Sequence, residues 1–272
     1  SVFKSVGLPF IPPELREDRG EIYAAHAGRL PALLERDELC GDLHVHTNAT
    51  DGRNTLREMA QAAKDAGLRY IAVTDHTRRL TVARGMDPRR LAKQMDEIDR
   101  LNAELSGLVV LKSTEVDILE DGTLDLPDSV LDLVVGALHS KLDLPRARQT
   151  ERVLRAMSSP HFSVLAHPGG RLLGERGPSD IDMLAVMRAA KKRGCFLELN
   201  AQPDRLDLQD IYCQMARDEG VMVSVASDAH SVYEYAYLEY GVSQARRGWL
   251  SAADVLNTRT LPALRRLLKR TM

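Results

Sequence analysis

The feature that most constrains the fold is an alternation of apolar runs and amphipathic stretches that starts at Cys40. Each run has the length of a buried strand and is rich in Val, Ile and Leu. Continuous apolar strands separated by helices are typical of βαβ units and a parallel sheet. The chain contains seven such runs: LHVH, LRYIAVTDH, LVVLKSTEVDIL, LDLVVGALHS, FSVLAHP, CFLELNA and VMVSVASDAH.

The segments between the runs have the pattern of amphipathic helices. In SDIDMLAVMRAAKKRG, Ser179 is a candidate N-cap and Gly194 lies just past the expected helix end. Seven strand–helix units favour a closed barrel over an open sheet, and 272 residues is the length of one such barrel plus a short appendage. We therefore predict an α/β fold, a (β/α)7 TIM-like barrel over residues 40–272. Residues 1–39 are proline-rich and charged at their start and are predicted to form an N-terminal arm or linker.

Composition excludes several functional classes. The net charge is −2, so any contact with a polyanion must come from local arginine clusters. The three cysteines are far apart and form no CxxC pair, which is typical of a reducing compartment. No apolar run is long enough to span a membrane and no signal peptide is visible. We expect a cytoplasmic protein that contacts no membrane, and the lack of GxGxxG after the first strand disfavours dinucleotide binding.

Histidines and carboxylates recur at the carboxyl ends of these runs. Since the carboxyl ends of barrel strands lie on one face, we expect such residues to converge although they are far apart in sequence. The set is His44, His46, His76, Glu115, His139, His167, Asp228 and His230, with Asp51 in the loop after the first run. Six of the eight histidines belong to it, whereas a single strand-end histidine would more simply be a hydrogen-bonded core residue. The set therefore indicates a metal site.

Two spacings support this interpretation. Residues i and i+2 of a strand point the same way, so His44 and His46 should project together, as should Asp228 and His230. Val45 should point away. Six imidazoles and three carboxylates without a thiolate fit Mn²⁺, Zn²⁺ or Fe²⁺.

These motifs resemble those of the PHP (polymerase and histidinol phosphatase) domain. The matching segments are DLHVHTNATDG, AVTDHT, TEVDIL, VVGALHS, LAHPGGR and ASDAHS. Longer segments resemble the C-terminal PHP domain of bacterial family X DNA polymerases, namely EVDILEDGTLDLPDSVLDLVVGALHS, LELNAQPDRLDL and YGVSQARRGWL. The segment GLPFIPPELREDRGEI resembles the connection between the polymerase thumb and that domain.

The resemblance implies a distorted seven-stranded barrel in which nine ligands hold up to three divalent ions, with Mn²⁺ favoured for activity. All nine positions are filled in this sequence. The implied grouping is His44, His46, Glu115 and Asp228 for one ion, Glu115, His139 and His167 for a second, and Asp51, His76 and His230 for the third. The residues expected to be catalytic are His44, His46, Glu115, His139 and Asp228.

The implied function is a metal-dependent phosphodiesterase that acts on DNA 3′ ends, in DNA repair by a family X polymerase. It would be a 3′→5′ exonuclease, and 3′-phosphatase and AP endonuclease activities are possible additional activities of the same site. The expected partners are DNA and a polymerase core domain, which residues 1–39 are too short to supply. The chain is therefore expected to be either the PHP portion of a family X polymerase or a stand-alone relative. The alternatives are a small-molecule phosphatase of the histidinol-phosphate type and a non-catalytic structural module. An amidohydrolase-type enzyme is disfavoured by the position of the strand-end glutamate and by the final Asp-x-His pair.

Polar residues beside the expected ligands are candidates for substrate contacts. Arginine can bind phosphate with two hydrogen bonds, and the loops at the barrel mouth are rich in basic residues. The candidates are Arg171, Arg176, Arg205, Asn200 and Lys141, with Arg78 and Arg79 in the loop after the second run. Asp75 is expected to hydrogen-bond a ligand histidine, and Asp42 is expected either to do the same or to lie in a solvated turn. The segment LPALRRLLKR is expected to be a surface helix covering the barrel, and Trp249 a core residue.

Overall fold

The computed structural model describes residues 2–126 and 131–271. Residues 127–130, inside the quoted segment EVDILEDGTLDLPDSVLDLVVGALHS, lie outside the described part of the chain. The strands are β1 (Gly41–Val45), β2 (Tyr70–Val73), β3 (Val109–Lys112), β4 (Glu115–Asp117), β5 (Val135–Ala137), β6 (Val164–Leu165), β7 (Phe196–Asn200) and β8 (Val223–Ala226).

A helix follows most of these strands, whereas β3, β4 and β5 succeed one another with no helix between them among the described residues. The helices are α1 (Val2–Ser5), α2 (Glu21–His26), α3 (Leu56–Asp65), α4 (Pro88–Glu104), α5 (Arg146–Ala156), α6 (Met183–Arg193), α7 (Asp210–Glu219), α8 (Leu238–Arg247) and α9 (Leu261–Leu268). The side chain of Asp182, rather than that of Ser179, caps the start of α6. Gly194 lies just past the last helical residue, as predicted, and adopts a left-handed conformation. Over residues 2–126 and 131–271, every helix falls short of the length and apolar character that a bilayer span requires.

All the paired strands run parallel. β1, β2 and β3 form one sheet, and β4 to β8 form a second sheet in chain order. β3 and β4 come from the single predicted run LVVLKSTEVDIL, which is interrupted at Ser113 and Thr114. Counted as one, they give the seven strand positions expected from the sequence.

The two sheets meet at both seams. At one seam His76 forms a parallel bridge with Glu115, and at the other Val45 pairs with Ala229. The second seam continues toward the opposite end of the strands through Asn257, which is fully buried. Its Nδ2 donates to the carbonyl oxygens of β1 and β8 at 2.6 and 2.7 Å. These links give the barrel-like α/β architecture that the sequence predicts.

The buried apolar residues of the barrel divide into an interior cluster and a cluster between strands and helices. Leu43 and Tyr70 belong to the interior cluster, together with Leu264 and Leu268 of α9. The larger cluster packs the outward faces of the strands against the surrounding helices. Because α9 covers the amino ends of the strands, the opposite, carboxyl end is the open mouth. The expectation that the C-terminal helix covers the barrel is confirmed.

The N-terminal arm packs against the region around α8. Trp249 is 5% exposed and lies in a cluster with Ile11 and Leu15 of the arm, so its prediction as a core residue is confirmed. Arg246 forms ion pairs with Glu14 and Glu35, both at 2.7 Å. The arm therefore contacts the barrel through both apolar packing and charge pairs, and its boundary at residue 39 stays a prediction.

Candidate metal centre

β1 brings two histidines to the mouth. The pairing of β1 with β2 contains a bulge between Asp42 and Val45. His44 lies within this irregular stretch and His46 just beyond it, and their side chains are on the same side, with their Nε2 atoms 3.1 Å apart. Val45 packs in the cluster between strands and helices, as expected. Both histidines are buried, so their imidazoles face other polar groups rather than solvent.

Glu115 stands at the middle of the predicted set. Its Oε1 lies 3.2 Å from His139 Nε2 and 3.1 Å from His167 Nε2. Its Oε2 lies 3.0 Å from His76 Nδ1 and 3.4 Å from His44 Nε2. One buried carboxylate therefore contacts imidazoles that come from four different strand ends.

Asp51 gathers a second group in the loop after β1. Its Oδ2 lies 3.3 Å from His76 Nε2 and 3.5 Å from His230 Nε2. The ring of His46 stacks on that of His230 at a centroid distance of 4.2 Å. One nitrogen of His76 thus faces Asp51 and the other faces Glu115. His76 therefore joins the residues around Asp51 to those around Glu115.

Asp228 completes the set after β8. Its Oδ1 lies 3.1 Å from His46 Nε2 and 3.5 Å from His44 Nε2. Asp228 has a φ of 52°, a left-handed conformation that non-glycine residues adopt at a cost. The structure therefore brings all nine predicted residues together, and their roles as ligands remain predictions.

The donor set fits divalent cations. Oxygen and nitrogen ligands about 2.1 Å from an octahedral ion lie about 3 Å from one another, close to the separations found here. Nδ1 of His46 and Nδ1 of His167 are buried without a hydrogen-bond partner among the described residues. Three overlapping groups could each hold an ion: His46, Asp51, His76 and His230; His44, His46 and Asp228; and His76, Glu115 and His139.

The charges of the centre compensate one another. Burial opposes ionisation of Glu115, but the surrounding histidines hold its pKa well below the usual range. Burial likewise disfavours protonated histidine, yet the nearby carboxylates raise the pKa of His76 to about 10 and those of His139 and His230 to about 9. His46 differs, because burial and its two histidine neighbours lower its pKa to about 3. Without metal the carboxylates hold histidine protons, and a bound cation would replace those protons.

Two carboxylates that the sequence analysis missed support the histidines. Glu198 Oε1 lies 2.7 Å from His44 Nδ1, and Glu198 Oε2 accepts the His167 backbone N–H at 2.6 Å. Asp117 Oδ1 lies 2.5 Å from His139 Nδ1. Such bonds fix the ring orientation and tautomer of a ligand histidine. The available signal in the sequence was an acidic residue two positions from a predicted site residue: Asp117 follows Glu115, and Glu198 precedes Asn200.

Asp42 and Asp75 do not act as expected. Asp42 accepts hydrogen bonds from the backbone N–H and hydroxyl of Ser227, so it closes the β1–β8 seam. Asp75 accepts hydrogen bonds from the backbone N–H of Thr47 and from the Thr50 hydroxyl. It therefore holds the loop after β1, which carries Asp51. The expectation that these carboxylates bond to histidine rings is wrong, because both are occupied by backbone and hydroxyl donors.

The predicted substrate-binding arginines of the loop after β6 bind backbone oxygens. Arg171 Nε donates to the carbonyl oxygen of Arg205 at 2.7 Å. Arg176 Nε and Nη2 both donate to the carbonyl oxygen of Gly170, at 3.1 and 2.9 Å. The structure therefore gives these two guanidinium groups a role in holding the loops, and their role in substrate binding remains a prediction.

The other predicted contacts lie nearer the centre. Asn200 Nδ2 donates to Asp228 Oδ2 at 2.9 Å, and Arg205 Nε is 3.8 Å from the same oxygen. Lys141 is exposed, two residues after the histidine at the end of β5. Arg205 is thus a cation at the edge of the centre, while Asn200 orients one of its carboxylates.

Comparisons with known proteins agree with this geometry. The PHP domain family matches residues 42–202, more than half of the chain. The chain is 40% identical over 267 residues to the DNA polymerase/3′-5′ exonuclease PolX of Bacillus subtilis (strain 168). That match covers 97% of this chain and 46% of the relative, so the chain spans about half the length of PolX. It is also 28% identical over 231 residues to a probable phosphatase of Thermoanaerobacter sp. (strain X514), covering 80% of this chain and 89% of that protein.

Solved structures show the same fold. Histidinol phosphate phosphatase from Lactococcus lactis subsp. lactis Il1403, complexed with Zn, L-histidinol and phosphate, matches with a TM-score of 0.56 at 15% identity. The match covers 76% of this chain and 93% of that one. A putative histidinol phosphatase from Listeria monocytogenes also gives a TM-score of 0.56, at 16% identity, covering 71% of this chain and 96% of that one. The chain therefore belongs to the PHP domain family of metal-dependent phosphoesterases.

Proposed function

We propose that the chain hydrolyses phosphodiester bonds at the 3′ end of DNA, as a 3′→5′ exonuclease. The observation that carries the proposal is the convergence of nine histidine and carboxylate side chains around Glu115. The similarity to PolX over 97% of the chain supports DNA as the substrate. Removal of a 3′-phosphate and cleavage at abasic sites would use the same centre.

The proposed ligands are those that converge in the structure, and three divalent ions is the number that we propose. They are His44, His46, Asp51, His76, Glu115, His139, His167, Asp228 and His230. Bound divalent cations neutralise phosphate charge, lower the pKa of water and stabilise a leaving oxygen. We propose Mn²⁺ as the activating metal, while the same nitrogen and oxygen donors also suit Zn²⁺ and Fe²⁺.

The chain's own residues orient these groups. Glu198 accepts the Nδ1 proton of His44, which leaves Nε2 facing the centre. Asp117 does the same for His139. At the edge, Arg205 can contact a substrate phosphate, because its guanidinium is only partly buried. We propose His44, His46, Glu115, His139 and Asp228 as the catalytic group, because contacts through Glu115 and Asp228 connect all five.

A covalent thiol mechanism is disfavoured. Burial raises the pKa of Cys195 to about 11, and burial also raises the pKa of Cys213. Both thiols therefore stay protonated at neutral pH and are poor nucleophiles. Neither cysteine belongs to the groups that could hold a metal. Hydrolysis without a covalent intermediate fits the site better.

The relative of about twice the length supports a wider role. We propose that the chain acts in DNA repair in the bacterial cytoplasm, together with a polymerase core of the family X type. DNA 3′ ends and primer strands are the proposed binding partners. Residues 1–39, which pack on the barrel, are the segment through which such a core would be connected.

The test uses the purified, Mn²⁺-loaded chain and DNA labelled at either end. We expect immediate release of a 3′ label and progressive shortening of 5′-labelled strands. The double variant His44→Ala/His46→Ala should lose both metal and cleavage, because it removes two central imidazoles. Intact DNA after incubation with a metal-loaded, folded chain would contradict the exonuclease proposal.

A small-molecule phosphatase is the second candidate, because the probable phosphatases match over most of their own length. The same preparation should therefore be tested with histidinol phosphate. Faster turnover of histidinol phosphate than of DNA would favour this candidate. A folded, metal-loaded chain that cleaves neither substrate would instead favour a structural role.

A further inference from the structure

A basic segment, residues 78–93, is attached to the candidate centre at its first end. Thr77 and Met86 form a parallel bridge, and Met86 N donates to the carbonyl oxygen of His76 at 2.8 Å. Thr77 N donates to the carbonyl oxygen of Glu115 at 3.2 Å. The loop of residues 78–85 therefore leaves the barrel and returns to it beside two proposed ligands.

Its second end is attached to the loop that carries Asp51. α4 begins there, with the Asp87 side chain accepting the N–H of Arg90 at 2.8 Å. The Arg90 guanidinium donates to the carbonyl oxygen of Arg84 at 2.9 Å and also to that of Ala49. Since Ala49 lies between His46 and Asp51 in the chain, the basic segment borders the centre on this side as well.

The segment carries strong local charge that the protein does not neutralise. Its cations are Arg78, Arg79, Arg84, Arg89, Arg90 and Lys93, and Asp87 is its single acid. All six are exposed. None of them forms an ion pair within 4 Å among the described residues, whereas the nearby Lys112 pairs with Asp99 at 2.7 Å. On a chain of net charge −2, this is a concentrated positive surface.

The surface also has a shape that suits a strand. A pocket of about 250 Å³ lies between the loop after β1 and α4, and its lining includes Asn48, Arg90 and Lys93. Glu97 also lines this pocket and is its acidic residue. On the other side of the segment, the Asp125 side chain accepts the backbone N–H of Arg79. Val82, at 89% exposure, forms an apolar tip beside the cations. A row of cations along a groove is typical of surfaces that follow a nucleic-acid backbone.

We propose that the basic segment binds the phosphate backbone of the DNA strand whose 3′ end enters the candidate metal centre. This inference rests on the proposed function and adds the surface that selects a polynucleotide. A small phosphoester is held by the centre itself, whereas a strand extends beyond it and meets the unpaired arginines. Arginine binds phosphate through charge and paired hydrogen bonds, so the segment should lower the KM for DNA.

The test replaces four arginines whose side chains make no hydrogen bond in the described structure. The variant is Arg78→Gln/Arg79→Gln/Arg84→Gln/Arg89→Gln, and Arg90 is kept because it holds the loops together. The matched control makes the same charge change on and just after α9, at the opposite end of the barrel. It is Arg265→Gln/Arg266→Gln/Lys269→Gln/Arg270→Gln, all at exposed positions. Circular dichroism and metal content verify that both variants fold and load metal.

Three readouts are compared with the wild type. The ratio of kcat/KM for 3′-labelled single-stranded DNA to that for bis(p-nitrophenyl) phosphate should fall at least about tenfold in the segment variant. The slope of log kcat/KM for DNA against log salt should become shallower by up to about 3, from about 0.7 per lost phosphate contact. Fluorescence anisotropy with metal-free protein should show the same loss of DNA affinity. The α9 control should stay within about twofold of wild type in each measurement.

The outcomes separate the two proposals. A segment variant with the DNA affinity, substrate ratio and salt slope of wild type would overturn the basic segment as a binding surface and leave the exonuclease proposal standing. An equal loss in the α9 control would also overturn it, since the effect would then follow total charge. A wild-type chain that hydrolyses the small diester and leaves DNA intact would overturn the proposed function, and this inference with it.

Discussion

Replacing Glu198 by Gln should weaken metal binding while the fold is kept. Both of its carboxylate oxygens accept hydrogen bonds, one from His44 Nδ1 at 2.7 Å and one from the His167 backbone N–H at 2.6 Å. The residue is 1% exposed, so no solvent can replace either bond. An amide of the same shape must turn its NH₂ group toward one of these donors, and one hydrogen bond is lost.

The magnitude follows from what the lost bond does. A carboxylate that orients a ligand histidine is worth about 10- to 100-fold in metal affinity, which is about 1.4–2.8 kcal/mol. The hydrogen bond to a charged group also contributes about 1.5–3 kcal/mol to the free energy of unfolding. Domains of this kind have unfolding free energies of about 5–15 kcal/mol, so the variant should remain folded.

The assay is equilibrium competition for Mn²⁺ against a chelator of known affinity, with the bound metal measured by mass spectrometry. Glu151→Gln is the matched control, because Glu151 is exposed on α5 and belongs to none of the groups that could hold a metal, so the substitution removes the same charge outside the centre. It should bind metal as the wild type does. Wild-type metal affinity in folded Glu198→Gln would refute the idea that this carboxylate orients the centre.

Two further predictions concern stability and protons. Arg152, 2% exposed, donates to carbonyl oxygens in the loops after β4 and β5, so Arg152→Met should cost about 2–4 kcal/mol in chemical denaturation. Exposed Arg148→Met should cost less than about 1 kcal/mol, and equal costs would contradict this. Because His76, His139 and His230 have raised pKa values of about 9–10, metal loading at pH 8 should release protons, and calorimetric heats that do not vary with the buffer's ionisation enthalpy would disagree. In the metal-free protein, protonation of these three histidines also raises the free energy of unfolding. This contribution is fully present below about pH 6.5 and is lost as the pH rises through 9–10.

Most of the barrel could be predicted because the strands are continuous apolar runs. The apolar pattern of LVVLKSTEVDIL could not show that this run divides into two strands. In the structure Ser113 and Thr114 lie outside both β3 and β4. After this break Glu115 N bonds to the carbonyl oxygen of Thr74 at 3.1 Å, which continues the barrel beside the segment after β2. Partner-strand geometry of this kind has no local signal in the sequence.

The candidate centre was predictable because most of its residues lie at the polar ends of the apolar runs, with Asp51 in the loop after the first run. In the structure Glu115 instead begins β4, directly after the break at Ser113 and Thr114. Glu198 was not predicted because Asn200, and not Glu198, is the polar residue that ends CFLELNA. Both belong to one face of β7, and an acidic residue two positions before a polar strand end was the available signal.

Asp42 was assigned wrongly for a geometric reason. The bulge in β1 breaks the simple alternation of faces, and Asp42 pairs with Ile71, whose side chain packs toward the helices. Its carboxylate therefore reaches Ser227 instead of a histidine ring. A bulge shifts every side-chain direction before it, and the sequence carries no mark of its position.

The central claim is that nine side chains meeting at Glu115 form one metal centre. The most direct test is the metal content of Mn²⁺-loaded protein after gel filtration, compared between wild type and Glu115→Gln. Because this carboxylate lies within 4 Å of five imidazoles, the wild type should retain three ions per chain and the variant fewer. A wild-type chain that retains no ions, or a variant that retains as many as the wild type, would contradict the account.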